Sequence, residues 1–217
     1  MKKRTLLSLF TAALAAGTLA LTAQSPADAQ QQPLAGRDFR ILQKQQATEA
    51  NGKIEVIEFF WYGCNHCFEF EPTLESWIKN APKDVVVRRV PVAFRDDLVP
   101  HQRMFYTLEA LGKVETHHQR FFNALHVERK RILTAGELAD WAAANGIDRD
   151  AFNKAYSSFS VQTKATRARQ MAEAYQIDGV PTLAVNGRFV TGAAMAGSHP
   201  RALQVVDFLI SEARKQK

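Results

Sequence analysis

The run Ile54-Glu55-Val56-Ile57-Glu58-Phe59-Phe60-Trp61-Tyr62 is β-branched and aromatic throughout except for its two acids, and it suits a buried central strand apart from Glu58. Gly63 ends it. From Cys64 the pattern turns helical, with Cys67, Phe68, Phe70, Leu74, Trp77 and Ile78 near the helical period, and Pro72 inside it predicts a kink. Val85-Val86-Val87-Arg88-Arg89-Val90 reads as a second buried strand, stopped by Pro91. A strand, a helix and a strand of these lengths make a βαβ unit, which predicts that the two strands are parallel neighbours and places the chain in the α/β class.

From about Asp96 to Ala174 the pattern is helical. Met104, Phe105, Leu108 and Leu111 mark one amphipathic helix, and Phe121, Phe122, Leu125 and Val127 another. Thr134 with Glu137 predicts a capping box, Asp148 caps a short helix stopped before the next, and Ser160 or Thr163 is the expected cap of a longer helix reaching Tyr175. Strand signals return at Thr182 to Val185, an Asn186-Gly187 turn and Arg188 to Thr191, a hairpin, followed by an amphipathic helix from about Pro200. The order is βαβ, helices, ββα. The expected organisation is one domain built from residues 30–95 and 175–217, with residues 96–174 inserted as an all-helical subdomain and residues 30–36 a flexible start.

The N-terminus reads as a secretory signal: Met1-Lys2-Lys3-Arg4, an uncharged Leu/Ala-rich stretch from Thr5 to Thr22, and a small-x-small site at Ala27-Asp28-Ala29. Leu21-Thr22-Ala23 is the weaker alternative site. A signal peptide over residues 1–29 implies export, and with this Lys/Arg start, the bacterial periplasm, an oxidising compartment. An uncleaved membrane anchor is the competing reading of the same stretch. The formal charge of +6 includes Lys2, Lys3 and Arg4 against Asp28, so removal of the segment leaves +4. No Lys/Arg stripe with interleaved aromatics accompanies that excess, and nucleic acid is not an expected partner.

The chain has two cysteines, Cys64 and Cys67, too few for a disulfide framework or a four-cysteine zinc site. Three apart at a strand-to-helix junction, they can close a disulfide in the first helical turn and cycle between oxidised and reduced forms. The helix N-terminus brings a thiol at Cys64 from about 8.5 to about 7, and His66, in the same turn, can supply a further cation. A stabilised thiolate weakens the disulfide relative to the dithiol, so the oxidised pair tends to pass its disulfide to another chain. Cys64 is then the attacking sulfur and Cys67 the resolving one. Half a metal site is the competing reading of the pair, but His117, His118 and His126, set among Phe121 and Phe122, read as solvated or core-edge histidines, and His101 and His199 are isolated.

Two further features point the same way. Val180-Pro181 stands immediately before a strand, where a cis bond would expose a backbone edge to an extended peptide; a trans proline starting the strand is the alternative. Glu58 lies six residues before Cys64. Buried, its pKa would rise and it could relay protons to the dithiol; alternatively it is a strand-end carboxylate paired with Arg88 or Arg89.

The segments Glu58-Phe59-Phe60-Trp61-Tyr62-Gly63-Cys64-Asn65-His66-Cys67 and Gly179-Val180-Pro181-Thr182, with Asn186-Gly187 beyond, resemble the DsbA family of bacterial periplasmic thiol:disulfide oxidases, in the thioredoxin superfamily. The helical block matches that family's insertion into the thioredoxin fold, so the likeness spans nearly all of the chain after residue 29. The resemblance implies catalytic roles for Cys64, Cys67, His66 and Glu58, a cis Val180-Pro181 bond packed against the cysteines as the substrate-binding element, and Arg89 where the family often has lysine. It also implies reduced, unfolded exported proteins as substrates and a DsbB-like inner-membrane reoxidant. Asn65 stands where many members have proline. No cofactor beyond the Cys64-Cys67 disulfide and no metal is expected, and the expected state is a monomer. The competing functions are a thioredoxin-fold reductase or isomerase, and a peptide-binding chaperone module.

Overall fold

All seven residues of strand β2, Ile54–Phe60, are buried, Glu55 and Glu58 included, as a central strand covered on both faces requires. The computed structural model describes residues 32–216; the signal-peptide reading of residues 1–29 lies outside them. β2 is parallel to β3, Val85–Pro91, in a register pairing Ile54 with Val85 and Glu58 with Arg89. It is antiparallel on its other side to β4, Thr182–Val185. β5, Phe189–Thr191, and β1, Phe39–Ile41, complete a five-stranded sheet in the order β1-β5-β4-β2-β3. Asn186 and Gly187 both have positive φ in the β4–β5 turn, as a two-residue hairpin of this hand demands. A side chain at position 187 would also meet Gln46 O at 2.1 Å.

Helix α1, Asn65–Lys79, crosses from β2 to β3 with Pro72 in its interior. Between β3 and β4 come a 3₁₀ turn at Asp96–Leu98, then α2 (Val99–Ala110), α3 (Val114–His126), α4 (Ala135–Ala144), α5 (Arg149–Tyr156) and α6 (Phe159–Ala174). The Thr134/Glu137 capping box forms in full, and Asp148 Oδ1 accepts from Ala151 N–H at 2.8 Å. The cap of α6 is Ser158 rather than Ser160 or Thr163, because the helix already starts at Phe159 and the Ser158 hydroxyl accepts from Val161 N–H at 3.2 Å. A one-turn helix α7 (Ala193–Ala196) and the long α8 (His199–Arg214) follow β5.

Side chains alternate across β2, and the two faces bury different partners. Ile54 and Val56 join Phe70 and Leu74 of α1 and Leu203, Val206 and Leu209 of α8. Ile57 and Phe59 join a larger cluster with Met104, Phe121, Phe122, Leu138 and Phe152 of the helical block. Strand β1 and helix α7 carry too few residues for a periodic signal and were not expected from the sequence.

Candidate active site

Cys64 is the N-cap of α1: its backbone is extended, and its Sγ accepts from Cys67 N–H at 3.3 Å. No acidic side chain occupies the first turn, so nothing but the cysteine sulfur answers the positive end of the helix. Gly63 makes the entry tight, since a Cβ there would come within 2.3 Å of the Trp61 indole. Cys67, one turn in, is fully buried, whereas Cys64 is partly exposed; both are free thiols. The Cys64 thiol is lowered to about 6, chiefly by donation from the Cys67 thiol, against the cost of burial, with the Cys67 and His66 backbone N–H groups and the His66 charge adding less. Cys67 moves the other way, pushed far up by burial and by the Cys64 sulfur beside it. One sulfur is therefore poised as a thiolate and the other as a thiol.

His66 enters this site differently from the expectation. Its side chain is 74% exposed and its Nδ1 lies 3.1 Å from Glu69 Oε2. Asn65 Nδ2 donates to the other Glu69 oxygen at 2.6 Å. Backbone N–H groups and the partner thiol therefore do more for the Cys64 thiolate than the imidazole.

Glu58 combines the burial of one of its sequence readings with the arginine pairing of the other, and it lies inside β2 rather than at its end. It is wholly buried and paired with Arg89, whose Nε donates to Oε2 at 3.1 Å, while Arg88 is engaged elsewhere, with Glu49 at 2.6 Å. Arg89 also donates to Glu71 Oε1 at 2.7 Å and to the half-exposed Glu75. One cation thus faces three carboxylates, and one oxygen each of Glu58 and Glu71 is without a hydrogen bond. Burial and the neighbouring charge of Glu71 push Glu58 up to about 8, despite Arg89. Burial also penalises Glu71, but His118 and Arg89 outweigh it and hold it below the ordinary range. The charge of Glu58 acts in turn on Cys67.

Val180-Pro181 is a cis peptide, and Cys64 Sγ lies 3.4 Å from Val180 O. The fold thus brings the start of β4 against the start of α1. Beside them opens a groove of about 320 Å³ in which Pro181, Val180, Met195, His66 and His199 take part.

The histidines of the helical block divide. His117 and His118 are buried rather than solvated, and His118 contacts Tyr62 and Glu71. His126 reaches Tyr62 O at 2.7 Å and stacks on Phe68. His101 is buried against Ile132 O at 2.6 Å. Among the described residues no cluster of three or more His, Cys, Asp or Glu could hold a metal ion. The sequence reading missed Glu71 and His118. Glu71 carried a signal, an acid on the apolar side of α1 one turn after Cys67; His118 carried none that set it apart from His117.

The family model of DSBA-like thioredoxin domains matches residues 90–198, the segment that follows the cysteine pair. The whole chain is 44% identical over 218 residues to a "Thiol:disulfide interchange protein DsbA" of Burkholderia cepacia, with 100% of each chain covered. Among solved structures, Pseudomonas aeruginosa DsbA is similar with a TM-score of 0.82 at 38% identity, covering 85% of this chain and 96% of the other. An oxidoreductase DsbA from Xylella fastidiosa is similar with a TM-score of 0.79 at 29% identity, covering 84% and 98%.

Proposed function

Because the chain belongs to the DsbA family of thioredoxin-fold thiol:disulfide oxidoreductases, we propose that it runs as a dithiol oxidase, donating its Cys64-Cys67 disulfide to reduced, newly exported proteins in the periplasm. The observation that carries the direction is the split between the two sulfurs: a thiolate at Cys64 lowered to about 6 beside a buried Cys67 thiol. Whatever stabilises the reduced pair makes the disulfide a stronger oxidant.

A substrate thiolate attacks Cys64 Sγ of the disulfide; the new S–S bond joins substrate to Cys64, and the old bond breaks with its electron pair on Cys67. Cys67, held far above its ordinary range, takes a proton, and Glu58 at about 8 is the buried acid suited to give it. A second substrate thiolate then attacks the substrate sulfur of the mixed disulfide and expels Cys64 as a thiolate. The substrate leaves with one disulfide, its two electrons stay on the cysteine pair, and no cofactor takes part. Val180-Pro181 and the adjoining groove are the surface on which an extended substrate lies. A membrane-bound, DsbB-like reoxidant restores the disulfide. The signal-like Met1 to Ala29 supports export, and among the described residues no helix is long and apolar enough to cross a membrane.

Equilibration of the pair against glutathione tests the direction. An oxidase is expected to poise well above thioredoxin's approximately −270 mV; a value as negative as thioredoxin's would instead favour the reductant reading.

The Cys64 shift also sets a pH dependence. Its folded value, about 6, lies below its ordinary 9.0, so the stabilisation of the reduced folded form is complete above pH 9, shrinks across the window from 9 to 6, and is gone below it. At pH 7 it amounts to about 1 kcal/mol once partial exposure is allowed for. Urea unfolding of the reduced and oxidised forms is therefore expected to show the reduced form gaining on the oxidised one between pH 6 and 9. A difference that stays flat across that window would contradict the thiolate assignment.

A further inference from the structure

The aromatic cluster next to the charged pocket holds a polar bridge that the dithiol chemistry above does not use. Tyr62, the last residue before Gly63 and Cys64, is buried, and its hydroxyl lies 2.8 Å from His118 Nδ1. His118, on α3, is buried among Phe60, Phe105 and Phe122, with ring centroids 5.1–5.8 Å away. Its Nε2 lies 3.5 Å from Glu71 Oε1, the oxygen that also accepts from Arg89. The bridge therefore joins the helical block to the strand-to-helix junction that bears the cysteines.

The tautomer follows from the partners. Burial pushes the Tyr62 hydroxyl well above its ordinary range, so it stays protonated and donates to Nδ1. Burial in an apolar cage also lowers His118, so the ring is neutral and its one N–H is at Nε2, aimed at Glu71. Nε2 makes no full hydrogen bond at this distance, and its N–H acts on Glu71 as a nearby dipole; Glu71 thus has Arg89 as donor and the His118 N–H 3.5 Å away, whereas Glu58 has Arg89 alone.

We infer that His118 is a positioning residue for the thiol chemistry: locked by Tyr62, it keeps the negative charge on Glu71, so that the exchangeable proton of the buried carboxyl pair resides on Glu58, the acid that serves Cys67. Two carboxyls beside one buried cation cannot both be ionised cheaply, and the one with the further N–H dipole close to it keeps the charge. The ionisable groups facing Glu58 are Arg89 on β3, Glu71, Glu75 and Cys67 on α1, and Tyr62. Those facing Glu71 are Glu58, Arg89, Glu75, His118 and Tyr62, with Glu115 of α3 and Lys79 of α1 along the adjoining groove. Without His118, Glu71 loses the N–H dipole beside it and competes for the proton, and Glu58 becomes the stronger acid of the two.

This inference rests on the proposed proton transfer from Glu58 to Cys67, and infrared spectroscopy of the reduced protein with isotope-labelled glutamate carboxyls tests it separately. The protonated-carboxyl band that Glu58→Gln removes is expected to titrate near pH 8 in the unchanged protein. In His118→Phe its midpoint is expected to fall by about one pH unit, with a new band that Glu71→Gln abolishes. His118→Gln, which keeps an N–H donor, is expected to restore most of the shift, and Tyr62→Phe to move the midpoint in the same direction by less. An unchanged midpoint in His118→Phe overturns the inference; if that variant does not fold, an unchanged midpoint in Tyr62→Phe overturns it. Failure of the relay itself reads differently: Glu58→Gln would leave the rate of mixed-disulfide formation unaltered while His118→Phe still moved the band.

Discussion

Cys64→Ser is expected to lose dithiol oxidation by at least about 10³-fold, the scale on which removal of a covalent nucleophile shows in other enzymes. The reason is positional as well as chemical. Cys64 is the partly exposed sulfur, the helix N-cap and the group lowered to about 6, whereas Cys67 is fully buried with its thiol pushed far up. A serine hydroxyl is not ionised in this range and cannot form the mixed disulfide, and Cys67 is neither accessible nor ionised enough to take over. Cys67→Ser has the opposite signature. Its Cys64 remains a thiolate that attacks a substrate disulfide, and with no resolving thiol the product accumulates as a covalent adduct visible by mass on a non-reducing gel. Oxidase activity within tenfold of the unchanged protein in Cys64→Ser, or adducts formed through Cys67, would overturn the order of attack.

Arg89→Met is expected to cost about 3–5 kcal/mol of stability at pH 8, the range for removing one partner of a buried ion pair. Arg89 is the cation shared by Glu58, Glu71 and Glu75, the first two buried to within 1% exposure. Methionine fills much of the volume of the arginine stem, so the loss is chiefly electrostatic. Its pH dependence has a definite sign. Without the guanidinium, the folded-state value of Glu58 rises further above its ordinary 4.5, and Glu71 loses one of the groups that hold it below that value against the cost of burial, so it rises too. A carboxyl raised on folding is no burden below its unfolded value, where it is protonated in both states, and destabilises increasingly as pH climbs from there toward its folded value. The deficit of Arg89→Met is therefore smallest near pH 4 and largest at pH 8 and above. Urea unfolding of both proteins, kept oxidised, at those two pH values measures it, and an equal deficit at both would mean that lost packing, not uncompensated charge, is what the substitution exposes.

The two experiments probe different layers of one arrangement. Cys64 reports what a helix terminus does to a sulfur, a local property of one turn of chain. Arg89 reports how three acids from a strand and a helix are held beside that turn. The His118 bridge extends this layer outward to the helical block, which makes residues 114–126 part of the chemistry as well as part of the core.

Local signals in the sequence were sufficient for the architecture near the site. The apolar run Ile54–Phe60, the periodicity after Cys64 and the valines of β3 each bury a face that has one sensible partner, so the parallel βαβ unit follows from chain length and hydrophobic pattern. The capping box at Thr134 and the Asn186-Gly187 turn were legible because their physics acts within four residues. The same holds for Cys64: its N-cap position follows from where the strand stops and the helix starts. The Ser158 cap was misplaced by two residues because three hydroxyls, Ser157, Ser158 and Ser160, all precede the same apolar face, and only the path of the backbone chooses among them.

What the sequence by itself determined is the class of fold and the identity of the reactive pair, because strand, helix and N-cap are decided by neighbours along the chain. What only the tertiary structure decided is the electrostatic state of that pair's surroundings. Glu58, Glu71, Arg89, His118 and Tyr62 come from two strands, two helices and the junction between them, and no spacing in the chain brings them together. Nor does spacing show that His66, adjacent to the cysteines, turns to Glu69 while His118, more than fifty residues away, faces the buried acids. Burial raises the cost of a charge, and its placement beside donors lowers it; both depend on distance in space, which the fold sets and the order of residues does not.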